Sequence, residues 1–257
     1  MDATEKVEQQ TPLSVPHVDI VHFGQGFLRF VVCELRFPTL PDLDMARPPP
    51  TAFHKALRRD FPNYSAAKTY GFGAGDPTQS RQYDFHSLKG DSTVTLRQDA
   101  LVLQTTTYSS FGDFLAKLLP VIAAAEPVID APFFTRVGLR YVNRVPVKAD
   151  GTWDGLINSD LIGAFSKGVY GDPTEHVGRV IGITADGSYT FQHGFKVDED
   201  FLRKPAYAID CDMSQESVAL NEVAALLPKL NQHAYNLFHW SLGKDARDTL
   251  TKKAKGS

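Results

Sequence analysis

The 257-residue sequence lacks most of the features that define secreted, membrane and metal-binding proteins. It has two cysteines, no CxxC or HExxH motif, and eight histidines without the spacing of a zinc site. The polar, acidic N-terminus has no apolar stretch of the kind that a secretion signal needs. No run reaches the roughly 20 apolar residues of a membrane helix. We therefore expect a cytoplasmic protein without a metal or cofactor. Cys33 and Cys211 are expected to be buried free thiols, with a disulfide or a reactive thiol as the alternative.

Long basic runs are also missing, and the formal net charge at pH 7 is -3. This balance gives the whole molecule no attraction to nucleic acid or to an anionic membrane surface. Nucleic-acid binding is a disfavoured alternative, in which Tyr64, Tyr70, Tyr83 and Phe85 would stack on bases.

The segment GFGAG, 71–75, lacks the Lys-Ser/Thr pair of a P-loop. It is predicted to be a turn, and a phosphate cradle is the weaker alternative.

The periodicity of apolar residues predicts two similar halves, about 20–130 and 133–245, each with the order β-α-β-β-β-α. The first half opens with a strand at 27–37, and the second opens with a strand at 135–145. The other predicted strands are QYDFHSL (82–88), STVTLRQD (92–99), ALVLQTTTY (100–108), RVIGITAD (179–186), SYTFQHGFKV (188–197) and AYAIDCDM (206–213).

Capping residues and helical spacing predict the main helices. They begin at Thr51, at Ser109 or Ser110, and at Ser214, and the last of them ends near Leu242. This order of elements predicts an α+β fold that forms one domain over 16–250, with flexible tails at 1–15 and 251–257. The strands should form one continuous antiparallel sheet, or a partly closed barrel, with the helices packed on one face.

Two short repeats support an internal duplication. LRF at 35–37 matches LRY at 139–141, and LLP occurs at both 118–120 and 226–228. Each pair falls at the same point of its half. In a duplicated sheet of this kind the two opening strands often meet near the pseudo-twofold axis, so we expect them at the centre.

The opening strand of the second half carries an arginine at every fourth position. In TRVGLRYVNRV the alternation has a period of two, which places Arg136, Arg140 and Arg144 on one face of the strand. Leu139 and Tyr141 then lie on the opposite face, towards the helices. We predict that this segment is an interior strand.

Carboxylates with the same alternation occur on two other strands. Glu34 shares a face with Arg36, and Asp210 shares a face with Asp212. A ladder of salt bridges is the favoured interpretation of this face. The alternative is a concave polar face that binds an anionic ligand or partner, because guanidinium groups grip carboxylate and phosphate with two bonds. The candidate ligand-binding residues are Glu34, Arg36, Arg136, Arg140 and Asn143; no residue is assigned to catalysis.

Several motifs together resemble one bacterial family. VVCELRF (31–37) is similar to its opening strand, RVGLRYVNRV (136–145) to its central R-x-G-L-R-Y-I-N-x-I signature, and YAIDCDM (207–213) to its L-D-I-D strand. LNQHAYNLFHWSL (230–242) resembles its closing helix, although Asn231 stands where that pattern tends to have histidine. This is the TIGR04255 family, which is sporadically distributed and uncharacterised. The resemblance implies a bacterial cytoplasmic protein of the accessory kind, carried patchily between genomes.

The function that follows best is a non-enzymatic module that binds a partner protein, encoded nearby, or a small anionic ligand. The oligomeric state stays open. The main alternative is a phosphate-processing enzyme resembling triphosphate-tunnel proteins, which enclose arginines and carboxylates in a barrel. Those enzymes carry an E-x-E-x-K strand, of which Glu34-Leu35-Arg36 supplies only a fragment.

Overall fold

The computed structural model describes residues 11–21, 26–44, 50–71, 78–197, 202 and 204–254. This part of the chain contains nine strands and six α-helices. The strands are β1 (Leu28–Arg36), β2 (Asn63–Gly71), β3 (Thr78–His86), β4 (Ser92–Arg97), β5 (Ala100–Thr105), β6 (Phe133–Pro146), β7 (Glu175–Thr184), β8 (Gly187–Lys196) and β9 (Ala206–Ala219). The helices are α1 (Pro41–Asp44), α2 (Thr51–Leu57), α3 (Phe111–Ile129), α4 (Ser159–Ser166), α5 (Val223–Ser241) and α6 (Lys244–Ala254).

All nine strands belong to one antiparallel sheet, in the order β2-β3-β4-β5-β1-β6-β9-β8-β7. The sheet is not closed. Of the two predicted forms, the continuous sheet is therefore confirmed, and the partly closed barrel is wrong. The two opening strands, β1 and β6, lie next to each other at the centre. β6 is an interior strand between β1 and β9, as the arginine pattern predicts.

The chain divides into two compact units, each assembled from separate segments. The first unit consists of Phe30–Leu139 and Gln215–Pro228. The second unit consists of Met1–Arg29, Arg140–Ser214 and Lys229–Ser257. The strands β1, β6 and β9 each begin in one unit and end in the other, so the fold is described unit by unit below.

In the first unit, alternation along the strands separates a buried face from a polar one. On β1 the side chains of Val31, Cys33 and Leu35 are fully buried, while Glu34 and Arg36 point to the other face. Helix α3 contributes a buried stripe of Phe114, Leu118, Val121, Ala125 and Ile129. Burial of each such large apolar side chain stabilises the fold by about 1.5–3 kcal/mol. The predicted cap is confirmed, because the Ser110 hydroxyl accepts a hydrogen bond from the Asp113 backbone N–H.

The second unit repeats this division on β6 and β9. Tyr207, Ile209 and Met213 are fully buried, whereas Asp210 on the other face is partly exposed. Helix α5 buries Leu230, Ala234 and Leu237. Its Asn231, at the position where the TIGR04255 pattern tends to have histidine, accepts a hydrogen bond of 2.7 Å from the Tyr141 hydroxyl. This bond gives the buried amide oxygen of Asn231 a donor; without one, the oxygen would lower the stability of the fold.

Both cysteines are free and buried, which confirms the favoured prediction. Burial raises the pKa of the Cys33 thiol to about 12, and it also raises the pKa of Cys211. Neither thiol is a thiolate near neutral pH, so neither is a reactive nucleophile.

Three predicted details are wrong. The first half contains an additional strand, β2, so its order is not β-α-β-β-β-α, and the duplication stays a prediction. The last long helix does not begin at Ser214, because burial of Val218 keeps β9 extended to Ala219. Thr51 is not the cap of α2, since Pro50 occupies the N-cap position without a side-chain bond. Among the described residues, no helix is long and apolar enough to cross a membrane.

Candidate functional site

The polar face of the first unit holds a cluster of three arginines around one glutamate. We name this the Glu34 cluster: Glu34 and Arg36 from β1, Arg97 from β4 and Arg136 from β6. Arg97 Nη2 lies 2.6 Å from Glu34 Oε1, and Arg36 Nε lies 3.2 Å from the same oxygen. Arg136 Nη1 lies 3.4 Å from Glu34 Oε2. Both oxygens of one carboxylate therefore accept from guanidinium groups.

The register of the sheet explains how Arg97 reaches Glu34. β5 lies between their two strands, with Val102 opposite Glu34 and Ala100 opposite Arg36. Because Ala100 and Val102 are short, the long Arg97 side chain can cross above β5 from β4 to β1. Larger side chains at these two positions would separate the charges.

A glycine positions the third arginine. Gly138 lies two residues beyond Arg136 on β6, on the same face, and a Cβ atom added there would clash with the Arg136 guanidinium. The guanidinium therefore occupies the space above Gly138 that a side chain would fill. In this chain only glycine at position 138 leaves that space open.

The cluster keeps Glu34 ionised. Burial by itself raises the pKa of this carboxyl, but the hydrogen bond from Arg36 and the charges of Arg36, Arg97 and Arg136 outweigh it. The net result is a pKa below the usual range of glutamate. The Glu34 side chain is 20% exposed and that of Arg36 is 52% exposed. Arg36 is thus the member of the pair that solvent and solutes can reach.

On the second unit, Arg140 is held by a single aspartate in a two-bond pair. Its Nε donates to Asp210 Oδ1 over 2.9 Å, and its Nη2 donates to Asp210 Oδ2. This hydrogen bond raises the pKa of Arg140, and the charges of Asp210 and Asp212 act in the same direction. The paired geometry agrees with the salt-bridge interpretation of this part of the arginine row.

The five predicted binding residues are thus distributed over different environments. Glu34, Arg36 and Arg136 come together in the Glu34 cluster, whereas Arg140 pairs with Asp210. Asn143 shares the alternation of Tyr141 and Val145, and it is only 4% exposed. The structure does not bring it to the arginine face.

Sequence reasoning missed Arg97. The residue ends a strand whose alternation, with Val94 and Leu96 buried, already places Thr95 and Arg97 on the polar face. That pattern was available in the sequence. The contact with Glu34 was not, because it depends on the strand order and on the short residues of β5.

Other kinds of site find little support. Within the described ranges, no three His, Cys, Asp or Glu side chains are placed to hold a metal ion. The glycine-rich segment considered as a phosphate cradle, 71–75, lies outside the described residues from 72 onwards.

No protein-family model matches the chain, and no curated protein matches it in sequence. The chemistry that the polar face offers is recognition of anions by guanidinium groups.

Proposed function

We propose that this protein is a non-enzymatic binding module whose Glu34 cluster recognises an anionic group on a small ligand or on a partner protein. The observation that carries the proposal is the convergence of three guanidinium groups on one carboxylate. Arg97 makes the shortest of the three contacts, so Glu34 stays neutralised if Arg36 turns away from it. Arg36, which is half exposed, can then donate two bonds to an incoming carboxylate or phosphate.

The electrostatics of Glu34 favour binding over catalysis. General acid–base catalysis is most efficient when the pKa of the catalytic group lies near the working pH. The arginines move the pKa of Glu34 away from that range, which makes it a weak base at neutral pH. An enzyme of the triphosphate-tunnel kind would enclose its arginines within a barrel, and the sheet here is open.

Calorimetric titration with pyrophosphate and with citrate, at low ionic strength, tests the proposal. Arg36→Ala should weaken binding by about tenfold or more, because a hydrogen bond to a charged group contributes about 1.5–3 kcal/mol. The matched control is Arg59→Ala, which removes the same charge from an exposed position of the first unit. The cluster has no specific role in binding if Arg36→Ala and Arg59→Ala weaken the affinity equally, or if neither variant weakens it.

We also propose that the two halves arose by duplication. Outward from the central pair β1 and β6, the strand order is β5, β4, β3 on one side and β9, β8, β7 on the other. LRF at 35–37 and LRY at 139–141 also correspond in burial, since the first and third residues of each are buried and the arginines are not. β2 is the additional strand at one end, which the second half does not match.

Membership of the TIGR04255 family, a bacterial origin and a cytoplasmic location stay predictions, as does a partner encoded nearby. Co-purification of the product of a neighbouring gene would support the partner. If that complex survives Arg36→Ala unchanged, the partner binds elsewhere on the molecule.

A further inference from the structure

The sheet ends at β7, which in the described part of the chain pairs only with β8. In an antiparallel strand the N–H and C=O groups of one residue point to the same side, and successive residues alternate. The Thr174 carbonyl oxygen accepts from the Val197 backbone N–H, so the even-numbered residues point towards β8. The Ile183 carbonyl oxygen accepts from the Leu13 backbone N–H, so the odd-numbered residues point outwards.

Four residues of β7 leave their outward backbone groups unpaired. Within the described ranges, the N–H and C=O groups of Glu175, Val177, Arg179 and Ile181 take part in no hydrogen bond. An unpaired strand edge is a template on which another strand can add. This part of β7 is therefore open to a further strand.

The side chains along this edge include exposed aliphatic groups. Val177 and Ile181 are 59% and 63% exposed. They lie on the polar face of the sheet, because Arg179 between them lies opposite Gln192 on β8, and Gln192 lies opposite Asp210 on β9. Proteins usually protect an open edge with charges, prolines or bulges. Here a single arginine separates two large apolar side chains.

The charges of β7 complement a second copy of the same strand. Glu175 and Arg179 are both exposed, and they lie on one face at equal distances from Val177. When two copies pair antiparallel with Val177 opposite its own counterpart, each Glu175 lies opposite the Arg179 of the other copy. Opposite charges in this position stabilise a pair of strands. Neither residue makes an ion pair with another described residue.

The same register limits the ladder at both ends. Ile181 lies opposite Pro173, which has no backbone N–H to donate. Ile183 lies beyond that point and already bonds to Leu13. The fully paired residues therefore run from Glu175 to Arg179. A ladder of this length buries little surface, so the resulting association is weak and depends on concentration.

We infer that β7 is a dimerisation edge, where a second copy of this chain adds its own β7 antiparallel, with Val177 at the twofold axis. The two strands exchange backbone hydrogen bonds, and the Val177 side chains meet between two Glu175–Arg179 pairs. The occupant is a second copy because a twofold interface requires a surface that complements itself, as the charges of β7 do. This inference does not depend on the function proposed for the Glu34 cluster.

Sedimentation equilibrium of the full-length protein tests this inference. Between about 5 and about 500 μM, the parent should pass from monomer towards dimer, as a small interface implies. Glu175→Arg brings two arginines together across the axis, and Arg179→Glu brings two glutamates together. Each variant should dimerise at least about tenfold more weakly, because like charges directly opposite each other repel. The matched control is Asp248→Arg, which makes a similar charge change at an exposed position of α6 and should dimerise like the parent.

An equimolar mixture of Glu175→Arg and Arg179→Glu makes the register specific. In the mixed dimer both pairs again have opposite charges, so the mixture should associate like the parent although neither variant does so alone. A mixture of Asp248→Arg with Arg179→Glu has the same net charges without this pairing and should not recover the association.

Three results overturn the inference: a parent that stays monomeric throughout the series, charge variants that dimerise like the parent, or a mixture that associates no better than its components. If a monomeric parent begins to associate when residues 1–10 are deleted, the edge belongs to the N-terminal segment of the chain itself.

Discussion

The Arg136 guanidinium occupies the space that a side chain at Gly138, its neighbour on the same face of β6, would fill, and from there it reaches the carboxylate of Glu34. The absence of one Cβ atom thus decides where a charge two residues away is placed. Because this glycine has an ordinary backbone conformation, its role is steric rather than conformational.

Gly138→Ala should displace the Arg136 guanidinium from Glu34 and raise the pKa of Glu34 towards its ordinary value. Carbon-13 NMR of the Glu34 carboxyl over a pH series would measure this change. Gly163→Ala is the control, because a Cβ atom there meets nothing within 4 Å. That variant should leave the Glu34 pKa alone and stabilise α4 by up to about 1 kcal/mol. An unchanged Glu34 pKa in Gly138→Ala would show that Arg136 contributes little to the cluster.

Arg140 is expected to stabilise the fold mainly through Asp210. Arg140→Met should lower the free energy of unfolding by about 1–2 kcal/mol, a range that allows for solvent screening of a side chain that is 47% exposed. Adding Asp210→Asn to this variant should restore part of the lost stability. Asp210 is only 14% exposed, so its charge destabilises the fold when Arg140 no longer neutralises it.

Denaturant unfolding of the two single variants and the double variant gives the coupling energy, which we expect to be about 1 kcal/mol. Arg144→Met, an exposed change on the same strand, should cost less than about 1 kcal/mol. A coupling near zero, together with a more stable Arg140→Met variant, would instead favour a ligand-binding role for Arg140.

Glu34 should also make the free energy of unfolding depend on pH in the acid range. Its pKa is lower in the folded state than in the unfolded chain, so the unfolded state binds more protons as the pH falls. The stabilisation is present above the unfolded value of about 4.3 and is lost as the pH falls through the lower folded value. Glu34→Gln should therefore flatten the decrease in stability at acid pH. Glu126→Gln, at an exposed position of α3, should keep the parental slope.

Leu139 is fully buried on the face of β6 opposite the arginines. Leu139→Ala should lower the free energy of unfolding by about 2–5 kcal/mol, since it removes apolar contacts and leaves a cavity. Leu119→Ala, on the exposed side of α3, should cost less than about 1 kcal/mol. Thermal and denaturant unfolding would rank the two variants, and the reverse order would mean that the core is assigned to the wrong face.

The central strands were predictable because apolar and polar residues alternate along them. Val137, Leu139 and Tyr141 are buried, whereas Arg136 and Arg140 on the other face are not. The edge strand β2 was not predictable in this way. Its sequence, NYSAAKTYG, mixes small and polar residues without alternation, and it pairs only with β3 at the end of the sheet. An edge strand can form by pairing with one neighbour and needs little apolar burial of its own.

The site was predictable only in part, for a similar reason. Alternation alone placed Glu34, Arg36 and Arg136 on polar faces of their strands. It could not pair Arg97 with Glu34, because that contact crosses β5 and joins residues far apart in the chain.

The central position of β1 has a consequence for the newly made chain. β5 can pair with one edge of β1 early, but β6, which covers the other edge, is synthesised only after the whole of α3. At about 5–20 residues per second, that edge stays open for seconds on the ribosome. An open strand edge is a template for unwanted pairing with other chains, and charged side chains are a common protection against it. Glu34 and Arg36 would then protect the nascent chain against unwanted strand pairing, in addition to the binding role that we propose for them in the folded protein.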